Sequence, residues 1–485
     1  MPATELTAPA WTPQERESFF DAIARHRRTA GRISLVSNAC AFALALVVAM
    51  LMAPLLYAVM GLILDLLNFV AATPDLFKLV MDNISPLIDT PEKVPLGRWL
   101  YLGVMAAIPG LIFMGLILLA LGRVLREASM SDAGNFTVRA PDPTVLAEQR
   151  FANVVAEMAV AAHLAAPRVF IIQSGAANAA AFGQDGAHAT VAVSTGLLDG
   201  LNRSEMQGVA GHLVGSIANG DMAVGTRVAT TLSLFGLIAK LSESFGDREA
   251  ARRFVKLARG AARHGASIED GELALELTNP FGTPTQPAKP AEPENEGQKE
   301  NKIPWRTIVW MPLVGPLVIS GFFGGVLSTF VLSPLLAWVW RRRKFLADAT
   351  AVRLTREPNT LADALTKLNG MPSEGAYAPW TAHMSVVNVQ KIGGRSLISS
   401  SGGKMFPSLE RRLKALTGMG ASVATIKAPR SLRNIPLIGW VILLPIGALL
   451  LVLFAMVIFG LVYVSVALSG LFTWLPAIVI HAILR

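Results

Sequence analysis

The sequence is poor in charged residues and has only one cysteine. Asp, Glu, Lys and Arg make up only 16% of its 485 residues, whereas a soluble domain averages about 25%. This shortage argues against a wholly soluble chain and predicts an integral membrane protein with a soluble part. Cys40 alone excludes an intramolecular disulfide and a cysteine-rich zinc site, and its apolar surroundings predict a small buried side chain.

The net charge of +9 does not indicate a nucleic-acid partner. Arg and Lys cluster beside apolar runs, as the positive-inside rule expects of a membrane protein. The first apolar run is much longer than a signal peptide's, so no signal peptide is predicted. We expect a multi-pass protein of a bacterial inner membrane, with cytoplasmic N- and C-termini, lipid contacts and no nucleic acid. The sequence does not define an oligomeric state.

The apolar runs and the composition divide the chain into seven predicted parts. They are a cytoplasmic N-terminal segment (1–33), two transmembrane helices with an external loop (34–126), a first soluble part (127–278), a Pro-rich linker (279–302), a transmembrane or re-entrant segment (303–343), a second soluble part (344–430) and a C-terminal transmembrane helix pair (431–485). The first soluble part includes a membrane-associated segment at 223–241.

Within the first soluble part, periodicity predicts a helix at 144–164 followed by strands at 168–173, 179–183 and 190–194. A basic helix beginning near Arg248 has two interpretations. It is either a membrane-surface element that faces anionic lipid or a charged face in solvent.

A predicted helix at 204–221 follows the last of these strands. Ser204 and Gln207 have the spacing of a capping box. His212 and Ser216 are four residues apart and share a face. The two zinc ligands of an H-E-x-x-H motif have that spacing, with the general-base Glu beside the first. Here, however, the five residues read His212-Leu213-Val214-Gly215-Ser216.

Six stretches in this order resemble the HtpX-like family of membrane zinc endopeptidases, which are relatives of the CAAX prenyl protease. The stretches are residues 167–172, 178–183, 191–198, 205–221, 341–358 and 406–413. The resemblance implies an α-helical integral membrane protein with a cytoplasmic α+β metalloprotease-like domain of the gluzincin type. The two soluble parts would then be the two parts of that domain.

The resemblance also implies where the family's working groups fall in this chain. His212 stands at the first zinc ligand, Leu213 at the general base, Ser216 at the second ligand and Lys344 at the third. Phe406 stands where the family often has a His for the oxyanion. Catalytic zinc needs about three protein ligands, and losing a general base alone costs about 10²–10⁴-fold. The sequence therefore predicts no zinc cofactor and no catalytic residues.

A catalytically degenerate protease homologue can still bind peptides. The predicted edge strand resembles the family's substrate-binding edge, and a sheet edge binds an extended peptide through backbone hydrogen bonds. The candidate peptide-binding residues are Asn178, Ala179, Ala180, Ala181 and Phe182. The partner is then a peptide or a membrane protein. Structural roles at the old site are expected for Asn219, Asp221 and Asp348.

Lys344 and Asp348 are four apart, which predicts either an i, i+4 ion pair or a lysine charge replacing that of the metal. Other functions stay open at this point. One is an active zinc endopeptidase with an atypical site, acting in membrane protein quality control. A metal site rebuilt around His383, a serine mechanism through Ser216 and His212, and a membrane scaffold are further alternatives.

Overall fold

The computed structural model describes residues 17–68, most of 70–85, 95–130, 138–183, 186–241, 248–262, 317–326, 328, 332–372, 385–387 and 406–422. The predicted linker at 279–302 and the C-terminal helix pair at 431–485 lie outside these residues. His383 does so as well.

The described residues contain the following elements. In chain order they are α1 (Phe19–Leu67), α2 (Leu96–Met130), β1 (Val138–Arg139), α3 (Leu146–Ala161), β2 (Arg168–Ile172), β3 (Ala179–Gly183), β4 (Ala189–Ser194), α4 (Thr195–Gly200), α5 (Arg203–Ala218), α6 (Asp221–Leu241), α7 (Arg248–Ala262), α8 (Ser333–Thr355), α9 (Pro358–Asn369) and α10 (Leu409–Gly418).

The chain divides into two compact units. The first takes its described residues from 1–36, 129–227 and 335–429, and the second from 37–128 and 228–334. The first unit therefore contains the whole sheet and the helices around it. The second contains most of α1 and α2.

The sheet of the first unit has four strands in the order β1-β2-β4-β3. β2 and β4 run parallel, with Val169 opposite Val191, while β3 pairs antiparallel with β4, with Ala180 opposite Ala192. β3 therefore lies beside β4 on one flank only, and its other flank is the far edge of the sheet. The predicted bounds of β3 are confirmed, and those of β2 and β4 are each correct to one residue.

Helix α5 is the central helix of the first unit. All but four of its residues are buried, and it packs against α3, α9 and β3. A Cβ at Gly208 would lie 2.5 Å from the backbone of Leu361, and one at Gly215 would lie 3.0 Å from Thr350. These glycines let α9 and α8 approach the α5 backbone closely.

The start of α5 differs from the prediction. The cap is Asn202, whose side chain accepts from the Glu205 N–H while the Glu205 carboxylate accepts from the Asn202 N–H. The predicted cap at Ser204 with Gln207 is wrong, because Asn202 offers the same reciprocal pattern two residues earlier. The helix ends at Ala218, and Asp221 begins α6.

The second unit contains long apolar helices. Among the described residues, two segments are long and apolar enough to cross a membrane, Phe19–Ala53 and Leu100–Val124. Large apolar side chains on them are exposed, among them Phe42, Leu100 and Leu119. A Cβ at Gly110 would lie 2.5 Å from the Ala49 backbone, so small residues bring α1 and α2 into close contact.

Two helices continue across predicted boundaries. Helix α1 begins at Phe19, inside the segment 1–33 that the sequence assigned to a polar N-terminus. Helix α8 runs unbroken from Ser333 to Thr355, across the boundary placed at residue 343. The run Arg341-Arg342-Arg343-Lys344 signalled a membrane exit, but Arg and Lys are good helix formers and do not end a helix. Of the segment 223–241, the structure shows only that it belongs to α6.

Candidate functional site

The candidate site lies where α5 and α8 pack side by side in the first unit. His212 is completely buried on α5. Its Nδ1 lies 2.7 Å from Oδ1 of Asp348 on α8, with the ring N–H poorly aligned for a hydrogen bond. Nε2 has no hydrogen-bond partner among the described residues. Burial lowers the pKa of His212 to about 4, although Asp348 opposes the shift, so the ring is neutral at neutral pH.

Asp348 is held chiefly by an arginine from the last described helix. Arg412 on α10 donates through Nε and Nη2 to the two oxygens of Asp348, at 2.9 and 2.6 Å, which is the strong bidentate geometry. Burial alone would raise the pKa of Asp348, but Arg412 and His212 together hold it well below its usual range. The ring of His212 therefore faces a permanent carboxylate that Arg412 already neutralises.

Lys344 is buried one turn before Asp348, but the two form no ion pair within 4 Å. Its Nζ donates to the backbone carbonyl of Ser385 at 2.6 Å. The same ammonium lies 5.6 Å from the ring centroid of Trp340 and 5.3 Å from that of Phe406. The predicted Lys344–Asp348 pair is wrong, because Arg412 satisfies both oxygens of the carboxylate.

The charge on Lys344 is costly in this setting. Burial and, to a smaller extent, the charge of Arg412 lower the pKa of Lys344 to about 7, while Asp221 and Asp348 act in the opposite direction. An ammonium in a dry site needs a compensating partner. The Ser385 carbonyl and the two aromatic faces supply only partial compensation.

Ser216 belongs to a second polar cluster at the end of α5. Its hydroxyl donates to Oδ2 of Asp221 at 2.6 Å, and Arg343 on α8 donates to Oδ1 of Asp221 and to the Asn219 carbonyl. Burial raises the pKa of Asp221, with Arg343 and Ser216 opposing the shift. Asn219 also donates to Thr350 at 3.1 Å. These contacts connect the α5–α6 turn to α8.

The donor set does not fit a zinc ion. Only Nε2 of His212 has the character of a ligand, and zinc needs two more protein donors. The Ser216 hydroxyl is directed at Asp221, and the Lys344 amine is directed at a carbonyl. Leu213 is buried and offers no base. Among the residues that the structure describes, no group of three or more His, Cys, Asp or Glu side chains is placed to hold a metal.

Residues 385–387 lie against the outer edge of β3. Ser385 forms an antiparallel bridge with Ala180, and the Val386 N–H donates to the Ala179 carbonyl at 2.8 Å. Asn178 donates from Nδ2 to the Val387 carbonyl at 3.2 Å. Arg412 donates from Nη1 to the Val386 carbonyl at 2.7 Å. Three of the five candidate peptide-binding residues, Asn178 to Ala180, thus contact this segment.

Sequence reasoning missed three participants in the site, namely Arg412, Arg343 and Ser385–Val387. A signal existed for Arg412, because it lies three residues after Leu409 and four before Leu416, on the apolar face of α10. A charged residue on such a face is a candidate for a buried ion pair. No comparable local signal marks Ser385, since its role depends on a contact with a strand about 200 residues earlier.

Comparison with known proteins gives an independent view of this domain. Residues 146–269 match the model of Peptidase family M48. A Protease HtpX homolog of Thermoanaerobacter pseudethanolicus is 27% identical over 268 residues, covering 55% of this chain and 71% of the relative. One from Ligilactobacillus salivarius is 26% identical over 326 residues, covering 65% of this chain and 92% of the relative. One from Burkholderia cenocepacia is 26% identical over 275 residues, covering 56% of this chain and 74% of the relative.

The sheet, the buried α5 and the matched region together indicate the class of protein that this chain resembles. Residues 146–269 are similar to peptidase family M48. The chain is HtpX-like, since relatives named Protease HtpX homolog align over more than half of its length. No solved structure matches the chain at a significant level.

Proposed function

We propose that this protein is a pseudoprotease of the HtpX-like group, which binds extended peptides or segments of membrane proteins without hydrolysing them. The observation that carries the proposal is the position of Lys344. Its ammonium occupies the place that the resemblance gives to a metal ligand, and it donates to a backbone carbonyl instead. A cation there repels a dication, whereas the β3 edge beside it still pairs with an extended segment of the chain.

The retained chemistry supports binding rather than catalysis. The hydroxyl of Ser216 donates to Asp221, and Nε2 of His212 has no partner among the described residues, so the two do not form a nucleophile–base pair. At the β3 edge, the Asn178 side-chain amide donates to the Val387 carbonyl and the Ala179 carbonyl accepts from the Val386 N–H. Such groups recognise a peptide backbone by strand addition.

The surroundings support a place at a membrane. We propose a multi-pass inner-membrane protein with both termini in the cytoplasm, and lipid as a further partner. On α7, the exposed Arg252, Lys256 and Arg259 recur at a spacing that keeps them on one face. A basic face of this kind attracts anionic headgroups, at about 1 kcal/mol per residue near the surface.

Metal analysis of the purified full-length protein tests the loss of catalysis. We expect far less than one zinc per chain, and no cleavage of unfolded β-casein with or without a chelator. Near-stoichiometric zinc, removed by a chelator together with cleavage of casein, would instead establish the alternative, an active membrane zinc endopeptidase with an atypical site.

Photo-crosslinking tests the peptide-binding edge. A photoreactive residue at Phe182 on β3 should capture unfolded β-casein. The matched control is the same group at Phe170 on β2, an interior strand of the same sheet. Equal capture at both positions, or capture at neither, contradicts binding at this edge and leaves a scaffold role for the domain.

A further inference from the structure

The segment Ser385–Val387 is placed against β3 as an added strand would be. The Val386 N–H bonds the carbonyl of Ala179, the residue before Ala180, so Ala180 and Ser385 form a non-hydrogen-bonded antiparallel pair. Ser385 and Val386 are completely buried. The contact is therefore a backbone pairing inside the fold.

Side chains bind each carbonyl of the segment in turn. Lys344 donates a hydrogen bond to the carbonyl of Ser385 at 2.6 Å, Arg412 to that of Val386 at 2.7 Å, and Asn178 to that of Val387 at 3.2 Å. Lys344 and Arg412 are buried cations from α8 and α10, and hydrogen bonds from charged groups are the stronger ones. All three donors contact backbone atoms, while the side chain of Val386 is buried in the core and the Ser385 hydroxyl also donates to the Val387 carbonyl at 2.7 Å.

Three side-chain donors bound to three successive backbone carbonyls are unusual for a segment packed inside a fold. A strand is ordinarily held by the ladder of its neighbour, without a buried lysine whose charge is costly. Here Lys344 stands where the resemblance places a zinc ligand, and the segment that it binds covers the start of the β3 edge at Asn178, Ala179 and Ala180. That edge is therefore occupied, and its occupant is bound in the manner of an extended peptide.

We propose that Lys344, Arg412 and Asn178 form a site for three successive backbone carbonyls of an extended peptide, and that the chain's own Ser385–Val387 is the resident ligand of this site. The inference rests on the proposed function in one respect: if the protein binds external peptides, such a peptide must compete with Ser385–Val387 for the site. Its ligand class is an extended polypeptide with small or apolar side chains at the positions of Ser385 and Val386, which are completely buried.

A cysteine pair tests the occupancy directly. In a Cys40→Ala background, Ala180→Cys with Ser385→Cys should close a disulfide under mild oxidation, because Cα atoms of such a pair are about 4.5 Å apart. The control pair is Phe182→Cys with Ser385→Cys, which shares the face but is two residues out of register, where diagonal neighbours are about 7–8 Å apart. Equal closure rates for the two pairs would overturn the proposed placement.

Thiol labelling tests the role of Lys344. A single Ser385→Cys in the Cys40→Ala background should react slowly with a maleimide, and Lys344→Met should accelerate the reaction by at least about tenfold, because a charged hydrogen bond to the carbonyl is lost. Lys367→Met, which removes the exposed lysine partner of Glu205, is the control and should leave the rate unchanged. An unchanged rate in Lys344→Met refutes the carbonyl site. Val386→Pro removes the N–H bonded to Ala179 and replaces the buried valine side chain, and it should release the segment while Lys344 keeps its charge.

A peptide with the sequence of residues 382–388 tests competition in the full-length protein. Val386→Pro should bind this fluorescent peptide at least about tenfold more tightly than wild type, and the Ala180–Ser385 disulfide should abolish binding until it is reduced. Equal peptide binding by wild type, Val386→Pro and the oxidised cysteine pair would overturn the proposal that Ser385–Val387 occupies the site. If β-casein is still captured at Phe182 in that case, the proposed function remains intact. If the in-register disulfide forms and labelling depends on Lys344 while no variant binds peptide, the carbonyl site stands and the proposed peptide-binding function fails.

Discussion

At the scale of single residues, the buried ion pair between Asp348 and Arg412 joins α8 to α10 and places a carboxylate oxygen 2.7 Å from Nδ1 of His212. Removing one partner of such a pair leaves the other charge buried and unpaired, which costs about 3–5 kcal/mol. We therefore expect Arg412→Met to lower the free energy of unfolding by about that amount, measured by thermal or denaturant unfolding in detergent.

The neighbouring arginine supplies the control for this prediction. Arg411 lies on the exposed face of α10, so Arg411→Met should change stability by less than about 0.5 kcal/mol. Similar losses for both variants would show that the buried pair does not carry the effect.

The titration of Lys344 predicts an alkaline rise in stability. The unfolded chain holds this proton up to about pH 10.5, while the folded protein releases it near pH 7, so between these values the unfolded state binds more protons. The free energy of unfolding should therefore increase with pH in this window, by at most about 1.4 kcal/mol per unit. Below pH 7 both states are protonated and the contribution is flat.

Unfolding midpoints measured from pH 6 to 10 check this rise. Lys344→Met should flatten the profile and should be at least as stable as wild type at pH 6, because a buried cation has been replaced by an apolar side chain of similar length. Lys367→Met should retain the wild-type slope. A Lys344→Met profile that still rises as in wild type would mean that other groups cause the slope.

At this scale the sequence indicated which residues have structural roles at the old site, but it did not predict which side chains contact each other. It predicted that Asp348, Asp221 and Asn219 hold the old site together, and it predicted the wrong partner for Asp348. Spacing along one helix favours Lys344, whereas the real partner, Arg412, comes from a helix 64 residues later. Local rules do not contain such a contact, because it depends on how α10 packs against α8.

At the scale of elements, the close packing of α5 against α9 depends on Gly208. A Cβ there would lie 2.5 Å from the backbone of Thr360 and Leu361, which is too close for a side chain to relax. We expect Gly208→Ala to push the helices apart and to lower the free energy of unfolding by about 1–3 kcal/mol, as overpacked cores do.

Gly418 provides the comparison for this prediction. It lies in α10, and a Cβ there would meet no described atom within 4 Å. Gly418→Ala should therefore change the stability by less than about 1 kcal/mol, the difference in helix propensity. Unfolding midpoints of the two variants check the contrast. A harmless Gly208→Ala would contradict the tight α5–α9 contact.

Strand positions were predictable because short, mainly apolar runs end at clear turn residues, as at Gln184-Asp185-Gly186 after β3. The ends of helices were less predictable. Asn202 and Ser204 both precede apolar residues and both have a Glu or Gln three residues on, so the pattern alone cannot choose between them. The choice of Asn202 follows from the tertiary position of Glu205, whose carboxylate also contacts Lys367.

At the scale of the whole molecule, low charge and long apolar runs were sufficient to predict membrane helices, and two candidates are present among the described residues. Their orientation rests on charge asymmetry alone, with arginines before the first apolar run and acidic residues after it. The native cysteine provides a test of this expectation, because Cys40 lies inside the first candidate span, Phe19–Ala53. A thiol within the hydrocarbon core is shielded from a charged reagent, whatever its exposure on the bare protein.

We therefore expect Cys40 to resist a membrane-impermeant maleimide in intact cells and to react once the chain is denatured in detergent. Asp75→Cys in the Cys40→Ala background is the control, since residue 75 follows α1, is exposed, and lies in the loop assigned to the outside. It should be labelled on intact cells at nearly the rate found after lysis. If the Asp75→Cys thiol reacts only after lysis while Cys40 stays protected, α1 still spans the membrane but in the opposite orientation. The β3 edge and the segment Ser385–Val387 must then be assigned to the other side of the membrane. Fast labelling of Cys40 in intact membranes would contradict the span itself, because the helix would then lie in water with Leu35, Val36 and Phe42 exposed.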